Sequence, residues 1–309
     1  MHTEFGLRVL MEVESMEKRK KKWGDRKDAY RIKETDSMHS FMPYLMPNRA
    51  DNEAVLNEKV DITEVVKYLE KKNKENPEFK YTLFHVFCAA IAKVMTLRPK
   101  MNYFYCGYRL YEKKDLTLAF VVKKKFTDNA SETIAVVNVD RESDVPPIEQ
   151  IYEKVKKIVY GVRKEDKTDG ATDVMDILTK LPRCLLKIVV RFLNFLEYHG
   201  WLPKSLVEVD PLHQSVFLTN LGSIKMNANY HHLANWGTNS FFVVVGEKHK
   251  HPVYDEDGNM ELHECVDLGL TIDERIADGV YFAKSVKMLR EIMKNPELLD
   301  LPVSTEIEY

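Results

Sequence analysis

With 309 residues, 44% hydrophobic and 30% charged, the chain is long enough to bury a sizeable core as one large domain or two small ones. A net charge of -2 gives no basic footprint, and no zinc-finger, RNP-like or Gly-rich phosphate loop is present, so nucleic acid is excluded as an expected partner. Cysteines at 88, 106, 184 and 265 are too far apart for a paired metal or redox motif and fit reduced thiols in the cytoplasm.

Residues 1–17 intersperse Glu4, Arg8, Glu12 and Glu14 among apolar residues, which leaves no secretory h-region and no bilayer span. With the run Lys18 to Lys22 they read as a polar extension over residues 1–24, ahead of a folded region at 25–309. From Asp25 to Asn57 periodicity is weak, and Pro43 and Pro47 predict extended chain laid over a core. Asp61 and Glu64 form a capping-box-like start to a helix with Ile62, Val65, Val66 and Leu69 on one side.

Leu83 to Leu97 is apolar nearly all round and predicts the most buried helix, with His85 as a satisfied core or rim histidine rather than a ligand. Met101 to Tyr111 and Leu116 to Val122 read as a hairpin around Glu112 to Asp115, followed by a strand at Thr133 to Val139 and a helix marked by Ile148, Ile151, Val155, Ile158 and Val162.

Residues 171–210 read as a helical insertion. Leu181 to Leu196 is strongly apolar, with Arg183, Lys187, Arg191 and Asn194 as a narrow polar stripe at helical spacing. Two placements are open: packing on the domain or between subunits, which is favoured, or peripheral membrane contact through 181–203 with the cations toward headgroups.

Ser215 to Thr219 is a β-branched and aromatic strand that ends in Asn220-Leu221-Gly222-Ser223. Asn229 to Thr238 is a polar, aromatic loop, in which His232 and Trp236 are candidates to line a pocket. His249, His251 and His263 flank a hairpin turn at Asp255 to Asn259, but without an identifiable further ligand no metal site is expected. Last, a strand through Leu268, Leu270 and Ile272 runs into Asp273-Glu274-Arg275-Ile276-Ala277-Asp278-Gly279 and a helix repeating Phe282, Val286, Leu289 and Met293. The tail after Leu301 is expected to fray.

The stretch from Asp273 to Gly279, closed by Asn295-Pro296-Glu297-Leu298-Leu299, resembles the C-terminal signature of the dihydrolipoyl acyltransferase catalytic domain, a relative of chloramphenicol acetyltransferase. Arg98-Pro99-Lys100-Met101-Asn102 and Thr219-Asn220-Leu221-Gly222 are similar to two further family segments. The resemblance runs from about Lys59 to about Pro302, outside the insertion. It implies a two-layer α/β sandwich on a mixed sheet, assembled as a homotrimer with active sites between subunits, and an acyl-CoA type thioester as co-substrate with no bound cofactor.

The family's motif is His-x-x-x-Asp-Gly, and its His is the general base. Here Glu274 stands at that position. The resemblance makes Thr219 the oxyanion donor and Asp278 the structural aspartate commonly paired with an arginine (Arg275 or Arg49 here); the candidate substrate contacts are Asn220, His232, Trp236 and Arg275.

A carboxylate of ordinary pKa about 4.3 facing a thiol of about 8.5 makes proton transfer uphill by roughly 5–6 kcal/mol. Desolvation in an apolar channel narrows that gap. Two readings follow: an acyltransferase with Glu274 as base, and a non-catalytic member of the fold that binds or assembles.

Overall fold

The computed structural model describes residues 20–74, 77–123, 132–165, 178–254 and 257–309. Its centre is a six-stranded mixed sheet in the order β2-β9-β8-β7-β5-β6, formed by β2 (Glu53–Asp61), β5 (Leu116–Lys123), β6 (Glu132–Val139), β7 (Val216–Asn220), β8 (Phe241–Tyr254) and β9 (Met260–Asp273). The pairs β5–β7 and β7–β8 are parallel and the others antiparallel.

Leu116, Leu118 and Phe120 of β5, Leu218 of β7, and Leu268, Leu270 and Ile272 of β9 project alternately to one face. Four helices cover that face: α2 (Thr63–Asn73), α3 (Leu83–Leu97), α4 (Pro147–Glu165) and α7 (Gly279–Lys294). The result is the expected two-layer α/β sandwich.

Helix α3 has the predicted bounds and is buried from His85 to Met95. Thr82 and His85 cap its start reciprocally, with the His85 Nδ1 3.0 Å from the Thr82 amide, so His85 is a capping residue. Burial holds its imidazole down to about 4. At Asp61 the expected capping box does not form: Asp61 closes β2 and accepts from the Thr63 amide, while Glu64 pairs with Lys67.

Three sequence expectations change for physical reasons. Residues 25–57 are not all extended, because Ser37–Leu45 forms helix α1 with Pro43 inside it. Proline removes the donor that the carbonyl four residues earlier would accept from. That carbonyl belongs to His39, and it accepts the Tyr105 hydroxyl instead at 2.7 Å.

The expected hairpin around Glu112 to Asp115 is displaced. The turn is at Gly107 and Tyr108, both at positive φ, between β3 (Tyr103–Cys106) and β4 (Arg109–Lys113). With β1 (Ala29–Arg31) these two strands form a separate three-stranded sheet. The tail beyond Leu301 is packed rather than frayed: Val303 is buried, and the buried Lys93 donates to the Pro302 carbonyl at 2.7 Å.

The insertion supplies α5 (Arg183–His199) and the short α6 (Lys204–Val209), while residues 171–177 of the expected insertion lie outside the described residues. Among the described residues no helix is long and apolar enough to cross a membrane.

Candidate functional site

Strand β9 ends at Asp273, one 3-10 turn covers Glu274–Ile276, and Asp278 caps α7 by accepting from the Tyr281 amide at 2.8 Å. Beneath the turn, Asp273 is fully buried and Arg275 is 2% exposed. Arg275 grips both Asp273 oxygens, through Nε at 2.8 Å and Nη2 at 2.7 Å, and its Nη1 donates to the Met46 and Pro47 carbonyls. Arg49 lies 3.7 Å from the same carboxylate, a charge contact rather than a hydrogen bond, and donates to the carbonyls of Ala234 and Tyr105.

Both arginines that sequence offered as partners of Asp278 therefore serve Asp273. The hydrogen bond donated by the Tyr281 amide holds the exposed Asp278 carboxyl below its ordinary value. Arg275 is also corrected as a substrate contact: its guanidinium is enclosed and committed to the loop's own framework. Glu274 is left exposed on a rigid base, with no hydrogen bond among the described residues.

Thr219 sits on β7 opposite Val244 of β8. By strand alternation it shares a face with Phe217, and Phe217, Phe242, Val244, Ala119 and Leu233 form a small apolar cluster on the side away from the helices. The loop at 229–236 lies across this face. It is tied down by the Leu233 amide to the Glu53 carboxylate, the Ala234 carbonyl to Arg49, and the Ala50 amide to Asn235.

Gly269 permits the loop's approach, since a Cβ there would stand 2.1 Å from the Asn229 carbonyl oxygen. We expect Gly269→Ala to lower stability by about 1–3 kcal/mol, read as a fall in the thermal midpoint.

Within the loop His231, not His232, packs on the sheet, stacking on Phe242 at 4.1 Å. His232 is exposed and stacks on His231. Trp236 is half-buried and donates through Nε1 to Asp210 at 2.6 Å. Asn220 is half-buried at the end of β7, where its carbonyl accepts from the Ser223 hydroxyl.

Thr219 and Glu274 do not meet within one protomer. Thr219 is level with Val244 and so with Gly269 of β9, and Glu274 lies beyond Gly269 by roughly 17 Å of strand, at roughly 3.4 Å per residue.

Two clusters escaped sequence reasoning. The first is His39 on α1, whose Nδ1 is 2.6 Å from Asp36, the residue that also caps the helix. Helix α1 abuts the Glu274 turn. An apolar helix containing a proline gave no signal for this placement.

The second cluster joins Arg26, Asp28, Glu197, His213 and Asp210. Glu197 accepts from Arg26 at 3.1 Å and contacts the His213 Nε2 at 3.0 Å, while the His213 Nδ1 is 2.9 Å from Asp210. Arg26, Asp28 and His213, with Lys113, help line a cavity of about 440 Å³. Lys113 is buried, with no carboxylate in hydrogen-bond range among the described residues; it donates to the His213 carbonyl and the Thr238 hydroxyl at 2.6 Å and is pulled down to about 7 by burial.

Burial acts to lower the His213 pKa, but its hydrogen bonds to Asp210 and Glu197 outweigh it and raise the value. Burial acts to raise both carboxylates, yet the bond to His213 keeps each low, with Arg26 also acting on Glu197. The carboxylates contribute stability above their ordinary 4.5 and 3.8 and lose it as pH falls through their lowered values. His213 contributes fully below 6.5 and loses it as pH rises through its raised value. Hydrogen exchange of α5 is therefore expected to be slowest, after correction for the intrinsic rate, between about pH 4.5 and 6.5.

The family model for the 2-oxoacid dehydrogenases acyltransferase (catalytic domain) matches residues 207–301, which include Thr219, Glu274 and Asp278. The lipoamide acyltransferase component of the branched-chain alpha-keto acid dehydrogenase complex of Bacillus subtilis (strain 168) is 22% identical over 245 residues, 76% of this chain and 45% of that protein. The chain thus spans less than half the length of this relative.

Among solved structures, the cubic core of the pyruvate dehydrogenase multienzyme complex aligns with a TM-score of 0.57 at 16% identity, covering 87% of this chain and 93% of that one. A probable dihydrolipoamide acetyltransferase from Listeria monocytogenes 4b F2365 aligns at 0.55 and 15%, covering 91% and 98%. The chain shares the fold of these two structures.

Proposed function

From a chain that carries the 2-oxoacid dehydrogenase acyltransferase pattern on the fold of those cores, we infer an acyltransferase that moves an acyl group from a CoA-type thioester to an acceptor, working as a homotrimer in the cytoplasm. The observation that carries the reading is the separation of Thr219 from Glu274. Each is presented on its own rigid support, and they are too far apart to act within one protomer.

An arrangement between subunits closes that gap, with Glu274 of one protomer facing Thr219 of the next across a channel. Thr219 donates to the oxygen that gains charge as the acceptor attacks the thioester carbon. Glu274 takes the acceptor's proton, and enclosure by the neighbour supplies the desolvation a carboxylate base needs. Asp278 fixes the start of α7, and the Asp273, Arg275 and Arg49 cluster holds the loop in place. Asn220, His232 and Trp236 border the region of the acceptor.

His39 offers a second base. Asp36 fixes one ring nitrogen, and the other makes no hydrogen bond among the described residues, which is the arrangement that prepares an imidazole to accept a proton.

Purified protein is to be incubated with acetyl-CoA and longer acyl-CoAs together with a pool of thiols, amines and alcohols, following free CoA. Acceptor-dependent release is expected. A folded trimer that binds acyl-CoA without releasing CoA would instead identify a non-catalytic member of the fold.

A further inference from the structure

Helix α5 has three faces of different character. Leu186, Val189, Leu193 and Leu196 are half-buried, and Glu197 is buried in its pairs with Arg26 and His213. One stripe carries Arg183, Lys187, Arg191 and Asn194, all exposed. The remaining face carries Leu185, Ile188, Phe192 and Phe195, and here a soluble domain would be expected to be polar. Instead Ile188 is 63% exposed, Phe192 58% and Phe195 51%.

Beyond the helix, Gly200 turns the chain in the left-handed region at φ 68°, and Trp201, 56% exposed, stacks on His199 at 4.7 Å and meets Phe195 edge-on. An aromatic cluster thus closes the C-terminal end of the open apolar face.

We propose that α5 and Trp201 seat the protein on an anionic lipid bilayer, with the Ile188, Phe192 and Phe195 face at the acyl boundary and Arg183, Lys187 and Arg191 among the headgroup phosphates. Charge selects this occupant. Among residues 178–203 the ionised groups are Lys180, Arg183, Lys187, Arg191 and Glu197, and the acid is buried in ion pairs, so the exposed charge is wholly cationic.

A second copy of the helix would bring the same cations and no exposed acid to balance them. An anionic surface balances them while burying the aromatic side chains. Tryptophan at the edge of the apolar face fits the same boundary, where a ring with one polar edge is favoured. Lying flat suits a 17-residue helix that its charges bar from crossing. The buried Glu197 links orient the helix relative to the domain, so the seat is a fixed surface rather than a loose tail.

The test is flotation of the full chain with vesicles of phosphatidylcholine alone and of phosphatidylcholine with phosphatidylglycerol. Binding is expected to the anionic vesicles only, with a blue shift of tryptophan emission that Trp201→Phe removes. Lys187→Glu with Arg191→Glu should weaken partitioning by at least about thirtyfold, since each basic residue near such a surface contributes about 1 kcal/mol. Phe192→Ser with Phe195→Ser should weaken it roughly tenfold or more. These side chains are exposed, so an unchanged circular dichroism spectrum and thermal midpoint are expected and separate loss of binding from loss of fold. The proposal is overturned if the wild type ignores anionic vesicles, if both double variants bind as the wild type does, or if the Phe192/Phe195 variant instead dissociates an oligomer. The last result would assign the face to a second copy. None of these readings depends on acyl transfer.

Discussion

Arg275→Ala is expected to destabilise the protein by about 3–5 kcal/mol, the cost of removing one partner from a buried ion pair. Asp273 is fully buried and would lose two hydrogen bonds from the guanidinium, keeping the amide of residue 275 at 3.2 Å and the charge contact with Arg49 at 3.7 Å. The Pro47 carbonyl would lose its Arg275 donor at the same time and the Met46 carbonyl would keep only Asn52, loosening the end of α1 from the Glu274 turn. A fall in the thermal midpoint on the order of 10 °C is the readout. Arg275→Lys should recover only part of it, because an ammonium cannot grip both carboxylate oxygens and two carbonyls together. Stability within about 0.5 kcal/mol of wild type in Arg275→Ala would show that the cluster does not hold the loop.

Glu274→Gln is expected to do the opposite: leave the fold intact and remove transfer. The side chain is exposed and makes no hydrogen bond among the described residues, so the thermal midpoint should not move. The amide keeps the shape and loses the ability to take a proton, which costs about 10²–10⁴-fold in rate where the group acts as general base. His39→Gln is the companion measurement. If the imidazole on α1 takes the proton, that variant carries the loss and Glu274→Gln does not, and Asp36→Asn should then lower the rate as well by releasing the ring. Equal activity in the wild type and both variants would leave neither residue as the base.

What could be read from sequence was whatever local pattern determines. The run Leu83 to Leu97 is apolar on every side, and such a helix has one place to go; its bounds in the structure are the predicted ones. The strand, turn and helix around Glu274 are set by alternation, an acidic cap and a 3.6-residue repeat, all within a few neighbours.

Features made by distant residues were not legible. Pro43 argues against a helix until Tyr105 arrives to satisfy the carbonyl it strands. Arg26 meets Glu197 across 171 residues, and nothing near either residue announces the pair. Arg275 carried the right charge in the right turn, but whether it faced a substrate or Asp273 depended on burial, which needs β2 and α1 in place. Exposure of Phe192 and Phe195 is likewise a tertiary property: the heptad-like pattern of α5 fits a packed helix as well as an open one.

The central claim is that Glu274 and Thr219 complete one site across two protomers. Thr219→Ala should lower transfer by about 10²–10³-fold, the usual loss for one oxyanion donor. Co-expressing Thr219→Ala with Glu274→Gln and purifying the mixed assemblies tests the claim most directly. Random mixing should return about a quarter of wild-type activity, because a site is intact whenever its glutamate comes from one variant and its threonine from the other. Mixed assemblies no more active than either parent would contradict a site shared between protomers.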